Sequence, residues 1–254
     1  MIVNSNRLNK TKIFGHRGAA GTHPENTLLS FTEAIEVGAD GIELDLQQSQ
    51  EGVLVVIHDE TVDRTTDGTG WVKDMSIKEL KQLNASSWFS HSLPREEIPT
   101  LEEVFDLTNS ADVILNIELK NGLVQYRGIE EQLFSLIKKY RIEERVIISS
   151  FNHYSIVTFN KLAPHVDTAV LVMEGLYKPW EYTATVGAKG LHCYWPTATA
   201  ETINYSQEKG IAVRPFTVNE EGKIRELISL NCDGLITDVP KLAIDARKKY
   251  PSKL

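Results

Sequence analysis

Short apolar, β-branched runs alternate with segments of helical spacing along almost the whole chain. The runs are Ile13–His16, Gly41–Leu46, Val113–Leu119, Val146–Ser149, Ala169–Met173, Gly190–Tyr194, Ile211–Phe216 and Leu235–Thr237. Between them, Ile129, Leu133, Leu136, Ile137 and Tyr140 fall on one helical stripe. The spacing predicts further helices over Thr27–Val37, Tyr154–Leu162, Glu201–Lys209, Glu220–Ser229 and Leu242–Lys249. Thr100 followed by Glu103 is the pattern of a capping box, opening a helix through about Leu107. Gly38 and Gly210 stand where helices should stop. Eight strand runs alternating with helices predict parallel pairing and an α/β fold, a TIM (β/α)8 barrel. An open doubly wound sheet would be satisfied with fewer strands. In a barrel, chemistry belongs at the C-terminal ends of the strands and in the loops that follow them.

One stretch breaks the rhythm. Val53–Ile57 reads as an extra strand hairpinned to the second run, and residues 59–99 then pass before the Thr100 helix. This segment is rich in Asp, Thr and Ser but holds Trp71, Val72, Met75, Leu80, Leu83, Trp88 and Phe89. Disordered linkers rarely carry so many large apolar side chains. A small insertion after the second barrel strand is expected, packed over the barrel mouth, with Trp71, Trp88 and Phe89 in its own small core. The 254 residues then form a single barrel domain, 1–254, with the insertion at about 59–99.

Composition narrows the partners. With 27 Lys+Arg against 35 Asp+Glu the net charge is −8, so the basic stripe of a nucleic-acid binder is not expected. A phosphate substrate stays possible, because a metal ion can reverse the local field. No window reaches the ~18 apolar residues of a membrane span, and the first residues carry Asn and Lys where a signal peptide would be apolar. Cys193 and Cys232 cannot build a disulfide framework and suit a reducing compartment. The expectation is a cytoplasmic protein with no stable membrane association; its oligomeric state is open.

Candidate chemistry concentrates at the strand ends. In Gly41-Ile-Glu-Leu-Asp45, Glu43 and Asp45 are two apart, so they share one face while Ile42 and Leu44 fill the other. Inside a barrel two such carboxylates repel unless a cation lies between them; an outward-facing edge pair is the alternative. Leu115-Asn-Ile-Glu-Leu-Lys120 repeats the geometry and adds Glu118 and Lys120. Three carboxylates make a hard oxygen site suited to one divalent cation, Mg²⁺ or Ca²⁺, rather than zinc. Lys120 would contact an anion held there, or simply pair with Glu118. His16 and His58 each close an apolar run, where an imidazole can take or give a proton near neutrality. Arg17 offers a planar fork for phosphate oxygens, and Gly18 leaves room for close approach. His153, also at a strand end, could line the mouth; His23, His91, His165 and His192 have no assigned role. Asp63–Gly70 lacks the spacing of a calcium loop and reads as a turn.

In order along the chain, His16-Arg-Gly18, Pro24-Glu-Asn-Thr27, Glu43-x-Asp45, His58-Asp59 and Arg64-Thr-Thr resemble the motifs of glycerophosphodiester phosphodiesterases. Glu118-x-Lys120, Ser150-Phe151, Phe216-Thr-Val-Asn219 and Asp233-Gly-Leu-Ile-Thr-Asp-Val-Pro240 extend the resemblance over about 13–245. It implies a TIM barrel with an insertion after the second strand, and hydrolysis of glycerophosphodiesters such as glycerophosphocholine to glycerol 3-phosphate and an alcohol. Carried over by motif, Glu43, Asp45 and Glu118 would hold the metal. His16 and His58 would be the acid–base pair, with His16 as base and His58 as acid. Arg17 and Lys120 would bind phosphate. Many relatives carry Trp where this chain has Phe216, so an aromatic wall is kept without the indole N–H. A lysophospholipase D-like enzyme acting on lipid head groups, or a non-catalytic phosphate-binding barrel, are the alternatives.

Overall fold

A computed structural model describes residues 11–90 and 92–250. In chain order the elements are β1 (Lys12–Gly15), α1 (Leu28–Glu36), β2 (Gly41–Gln48), β3 (Leu54–Val56), α2 (Ile77–Leu80), α3 (Leu101–Thr108), β4 (Ile114–Leu119), α4 (Ile129–Tyr140) and β5 (Val146–Ser150). They continue as α5 (His153–Leu162), β6 (Asp167–Val172), α6 (Pro179–Val186), β7 (Gly190–Cys193), α7 (Ala200–Glu208), β8 (Ala212–Val213), α8 (Glu221–Ser229), β9 (Gly234–Thr237) and α9 (Pro240–Lys249). The strands pair in the order β8-β7-β6-β5-β4-β2-β1-β9, and β3 hangs antiparallel on β2. Backbone hydrogen bonds from Asp233 to Val213 (3.1 Å) and from Ile236 to Pro215 (3.0 Å) join the two ends of that order. The protein is a TIM barrel.

Alternation along each strand sorts side chains into two cores. Ile42, Leu44, Leu115 and Ile117 face the helices, while Phe14, Ile147, Ala169 and Ile236 fill the barrel interior with Phe216 packed against them. Phe14 fits there because glycines flank it: a Cβ at Gly41 would lie 2.6 Å from its ring and one at Gly234 3.0 Å away. Gly38 and Gly210 follow α1 and α7 with positive φ, as their positions in the sequence predict. The α6 helix has no counterpart among the predicted helices. It is short, opens on Pro179, and its buried face is limited to Pro179, Trp180 and Thr183, too little to show as a stripe.

The Thr100–Glu103 capping box is present: the Glu103 carboxylate accepts from the Thr100 N–H (2.7 Å) and the Thr100 hydroxyl accepts from the Glu103 N–H (3.3 Å). Thr100→Ala is expected to cost about 1 kcal/mol in urea unfolding with an unchanged m-value. The segment after β3 is packed, but its core differs from expectation. Val55, Ile57, Val62, Val72, Leu80, Ala85 and Ile98 build it, while Trp71 and Trp88 stay 42% and 39% exposed. Aliphatic side chains fill so small a space, and the indoles rest on its edge. The Trp88 N–H donates to the Ala85 carbonyl (3.0 Å), and its ring stands edge-on to Phe89.

Candidate active site

The register of β2 against β4 places Glu43 beside Asn116 and Asp45 beside Glu118, all on the inward face. Glu43, Asp45 and Glu118 are buried, and each offers a carboxylate oxygen within 4.8 Å of the others. The outward edge pair is thereby excluded. Each carboxyl feels the crowding differently. Burial, then the charges of Asp45 and Glu118, push Glu43 well above the usual carboxylate range, although its oxygen accepts the Arg17 backbone N–H (2.9 Å). Burial also works against Asp45, but the charges of Arg17, His58 and Lys120 and the Asn26 amide (2.8 Å) hold it down to about 2. Glu118 is pushed up by burial and by Asp45, against the pull of Lys120 2.9 Å away. A cluster of hard oxygen donors with this much unshared negative charge fits a divalent cation.

Two imidazoles face the cluster, each held from behind by a carboxylate. His16 follows β1, its Nδ1 2.6 Å from Asp238 after β9 and its Nε2 4.0 Å from Glu43. His58 follows β3, its Nδ1 2.5 Å from Asp59 and its Nε2 3.2 Å from the Lys120 amine. An N–H at Nδ1 donating to each carboxylate turns Nε2 to the site, where it takes up a proton on a neutral ring and gives one up from an imidazolium. Both carboxylates are fixed in turn. Asn219 donates to Asp238 (2.5 Å). Arg64 reaches Asp59 through Nε (2.7 Å) and Nη2 (3.0 Å).

Arg64 also grips both oxygens of Glu25 at 2.8 Å, and Glu25 accepts from Arg17 at 2.7 Å. Arg17 thus stands between Glu25 and Asp45, whose oxygen is 3.2 Å from its Nε. Its backbone has a φ of +50°, and Gly18 follows at +89°. A Cβ at Gly18 would come within 2.4 Å of the Ser30 hydroxyl, so the turn that presents Arg17 needs glycine. Lys120 pairs with Glu118, as one of the two sequence readings has it, and its amine also lies 4.0 Å from Asp45 at the rim of the cluster.

The structure therefore brings together His16, His58, Glu43, Asp45, Glu118, Arg17 and Lys120. Phe216 sits at the end of β8, edge-to-face with Phe151 at 6.0 Å, and the Lys120 amine is 6.0 Å from the Phe151 ring. His153 points elsewhere, pinned by the Tyr182 hydroxyl (2.6 Å) and the Leu171 carbonyl (2.9 Å). His192 is buried, and desolvation beside Arg214 pushes it well below the usual imidazole range. Sequence reasoning gave no role to Asp238, Asp59, Glu25, Asn26, Arg64 or Asn219. Each lies within a quoted motif, and an acidic residue directly after a strand-end histidine, as Asp59 is, was the signal available.

The family model described as the glycerophosphoryl diester phosphodiesterase family matches residues 16–242. A glycerophosphodiester phosphodiesterase of Caldanaerobacter subterraneus subsp. tengcongensis is 45% identical over 94% of this chain and 99% of that protein. The Oleispira antarctica phosphodiesterase, solved with the product sn-glycerol-3-phosphate, is 29% identical with a TM-score of 0.83, covering 93% of this chain and 96% of that one. A Silicibacter pomeroyi structure, 23% identical, shares the fold over 97% of this chain and 96% of that one with a TM-score of 0.88.

Proposed function

The chain belongs to the glycerophosphoryl diester phosphodiesterase family and is a phosphoric diester hydrolase; from that premise we propose that His16 and His58 are its acid–base pair, working on a glycerophosphodiester held by Arg17 and Lys120 beside the cation that Glu43, Asp45 and Glu118 would bind. The products are glycerol 3-phosphate, the product held by the Oleispira antarctica relative, and an alcohol. The observation that carries the reading is two carboxylate-backed imidazoles beside one buried carboxylate triad, His16 with its Nε2 4.0 Å from Glu43 and His58 with its Nε2 3.2 Å from the Lys120 amine that pairs with Glu118.

The difficulty of the reaction is electrostatic: a phosphodiester monoanion repels nucleophiles and holds a poor leaving group. Glu43, Asp45 and Glu118 would hold one divalent cation, Mg²⁺ or Ca²⁺, which when bound supplies positive charge to the non-bridging oxygens. Arg17 and Lys120 bind those oxygens from the protein side, Arg17 with the planar fork that Glu25 orients. His16 accepts the proton of the attacking hydroxyl at Nε2, and Asp238 stabilises the imidazolium that results. His58 enters the step as the imidazolium, its Nδ1–H paired with the Asp59 carboxylate that Arg64 keeps ionised, and gives its Nε2 proton to the leaving alkoxide. Phe216 forms an apolar wall beside the substrate.

Release of glycerol 3-phosphate from glycerophosphocholine tests the reading. Chelator is expected to lower the rate by at least about a hundredfold, with recovery on adding Mg²⁺ or Ca²⁺. An undiminished rate in chelator would remove the metal role. A lysophospholipid substrate is the second reading, favoured by the exposed indoles of Trp71 and Trp88; comparing lysophosphatidylcholine with glycerophosphocholine separates them. A cytoplasmic location is supported by two buried free thiols, Cys193 and Cys232. Among the described residues no helix is long and apolar enough to cross a membrane.

A further inference from the structure

Arg64 reaches the site from the segment between β3 and α3. Its backbone is set within that segment: Val62 and Thr65 are buried, and the Thr66 hydroxyl donates to the Val62 carbonyl (2.7 Å) and accepts the Gly68 N–H (3.0 Å). From this turn the guanidinium presents two forks. Nε and Nη2 grip the two oxygens of Asp59 at 2.7 and 3.0 Å. Nη1 and Nη2 grip those of Glu25 at 2.8 Å each. The first carboxylate stands behind His58, and the second pairs with Arg17.

Each carboxylate holds its working partner through one oxygen only. Asp59 meets His58 through Oδ1 (2.5 Å), and Arg64 Nε ties the other oxygen, Oδ2. Glu25 meets Arg17 through Oε1 (2.7 Å), and Arg64 Nη1 ties Oε2. A carboxylate fixed at both oxygens keeps one orientation, and so does whatever leans on it. The Arg64 side chain is 43% exposed, and exposed ion pairs add little to stability. Misplacing a reacting group by about 1 Å, in contrast, can cost on the order of a hundredfold in rate. Resting on the hydrolase reading above, we infer that Arg64 is a positioning residue for both ends of the reaction, setting the His58 imidazole through Asp59 and the Arg17 fork through Glu25.

Arg64→Gln is expected to lower kcat for glycerophosphocholine about tenfold. It should raise the inhibition constant of glycerol 3-phosphate, which reads the grip on phosphate without chemistry, by about the same factor. Double-mutant cycles separate the two ends. Added to Asp59→Asn, Arg64→Gln should cost no further kcat yet still raise the inhibition constant. Added to Glu25→Gln, it should lower kcat further and leave the constant alone. Arg64→Lys keeps the charge should the neutral variant unfold, and its single ammonium cannot present two forks, so it should restore one of the two effects and not both. Melting curves check that each variant is folded. Either quantity unmoved in the single variants, both moving together in the two backgrounds as for a purely structural tie, or full recovery in Arg64→Lys would each overturn the inference. No turnover of any diester by the wild type would instead overturn the hydrolase reading, and this inference with it.

Discussion

His16→Ala is expected to lower kcat for glycerophosphocholine by about 10²–10⁴, the usual worth of a positioned acid or base, with metal affinity largely kept. The side chain touches Asp238 and faces Glu43 from 4.0 Å without being one of the triad. His58→Ala should fall by a similar factor on the same substrate. The two variants part on a diester with a nitrophenol leaving group, whose oxygen departs without a proton. His58→Ala should recover most of its rate there, and His16→Ala should not, because the attacking hydroxyl still needs its base. Recovery by the His16 variant alone would reverse the two roles, and near wild-type turnover in either on glycerophosphocholine would end the assignment.

Glu43→Gln is expected to abolish tight metal binding and activity while making the metal-free protein more stable. Burial and two neighbouring carboxylates raise the Glu43 pKa in the folded state. A carboxyl raised on folding binds more protons folded than unfolded, so its contribution to stability falls as pH rises from its unfolded value, about 4.3, toward its folded one. Metal-free wild type should therefore lose thermal stability through that interval more steeply than Glu43→Gln, whose amide cannot ionise. Its oxygen can still accept the Arg17 N–H that Glu43 accepts at 2.9 Å. Divalent cation should raise the wild-type midpoint and leave that of the variant unmoved, since a ligand carboxylate must be deprotonated. Stability would thus rise as function is lost, as is common where like charges crowd a working site. Melting curves in chelator and in Mg²⁺ or Ca²⁺, across pH, read both effects. Parallel metal responses in the two proteins would take Glu43 out of the site.

The β2 run from Gly41 to Asp45 announced its chemistry, because alternation with period two separates Ile42 and Leu44 from Glu43 and Asp45 whatever the strand packs against. The same rule gave Glu118 with Lys120, and the capping box at Thr100 is equally local. His16 and His58 were legible as polar endings to apolar runs. The partners behind them were not: Asp238 lies 222 positions from His16, and the two meet because β9 closes the barrel against β1. Glu25 and Arg64, 39 apart, join only once the segment after β3 folds back over the β1 loop. Trp71 and Trp88 looked like core residues by type, yet the space beneath them takes aliphatic side chains. Phe151 follows β5 and Phe216 follows β8, strands that are not neighbours, so their contact is a product of barrel curvature. Short-range periodicity determined which side chains share a face. Closure of the sheet decided which faces meet, because chain positions far apart become adjacent only when the ends of the sheet pair.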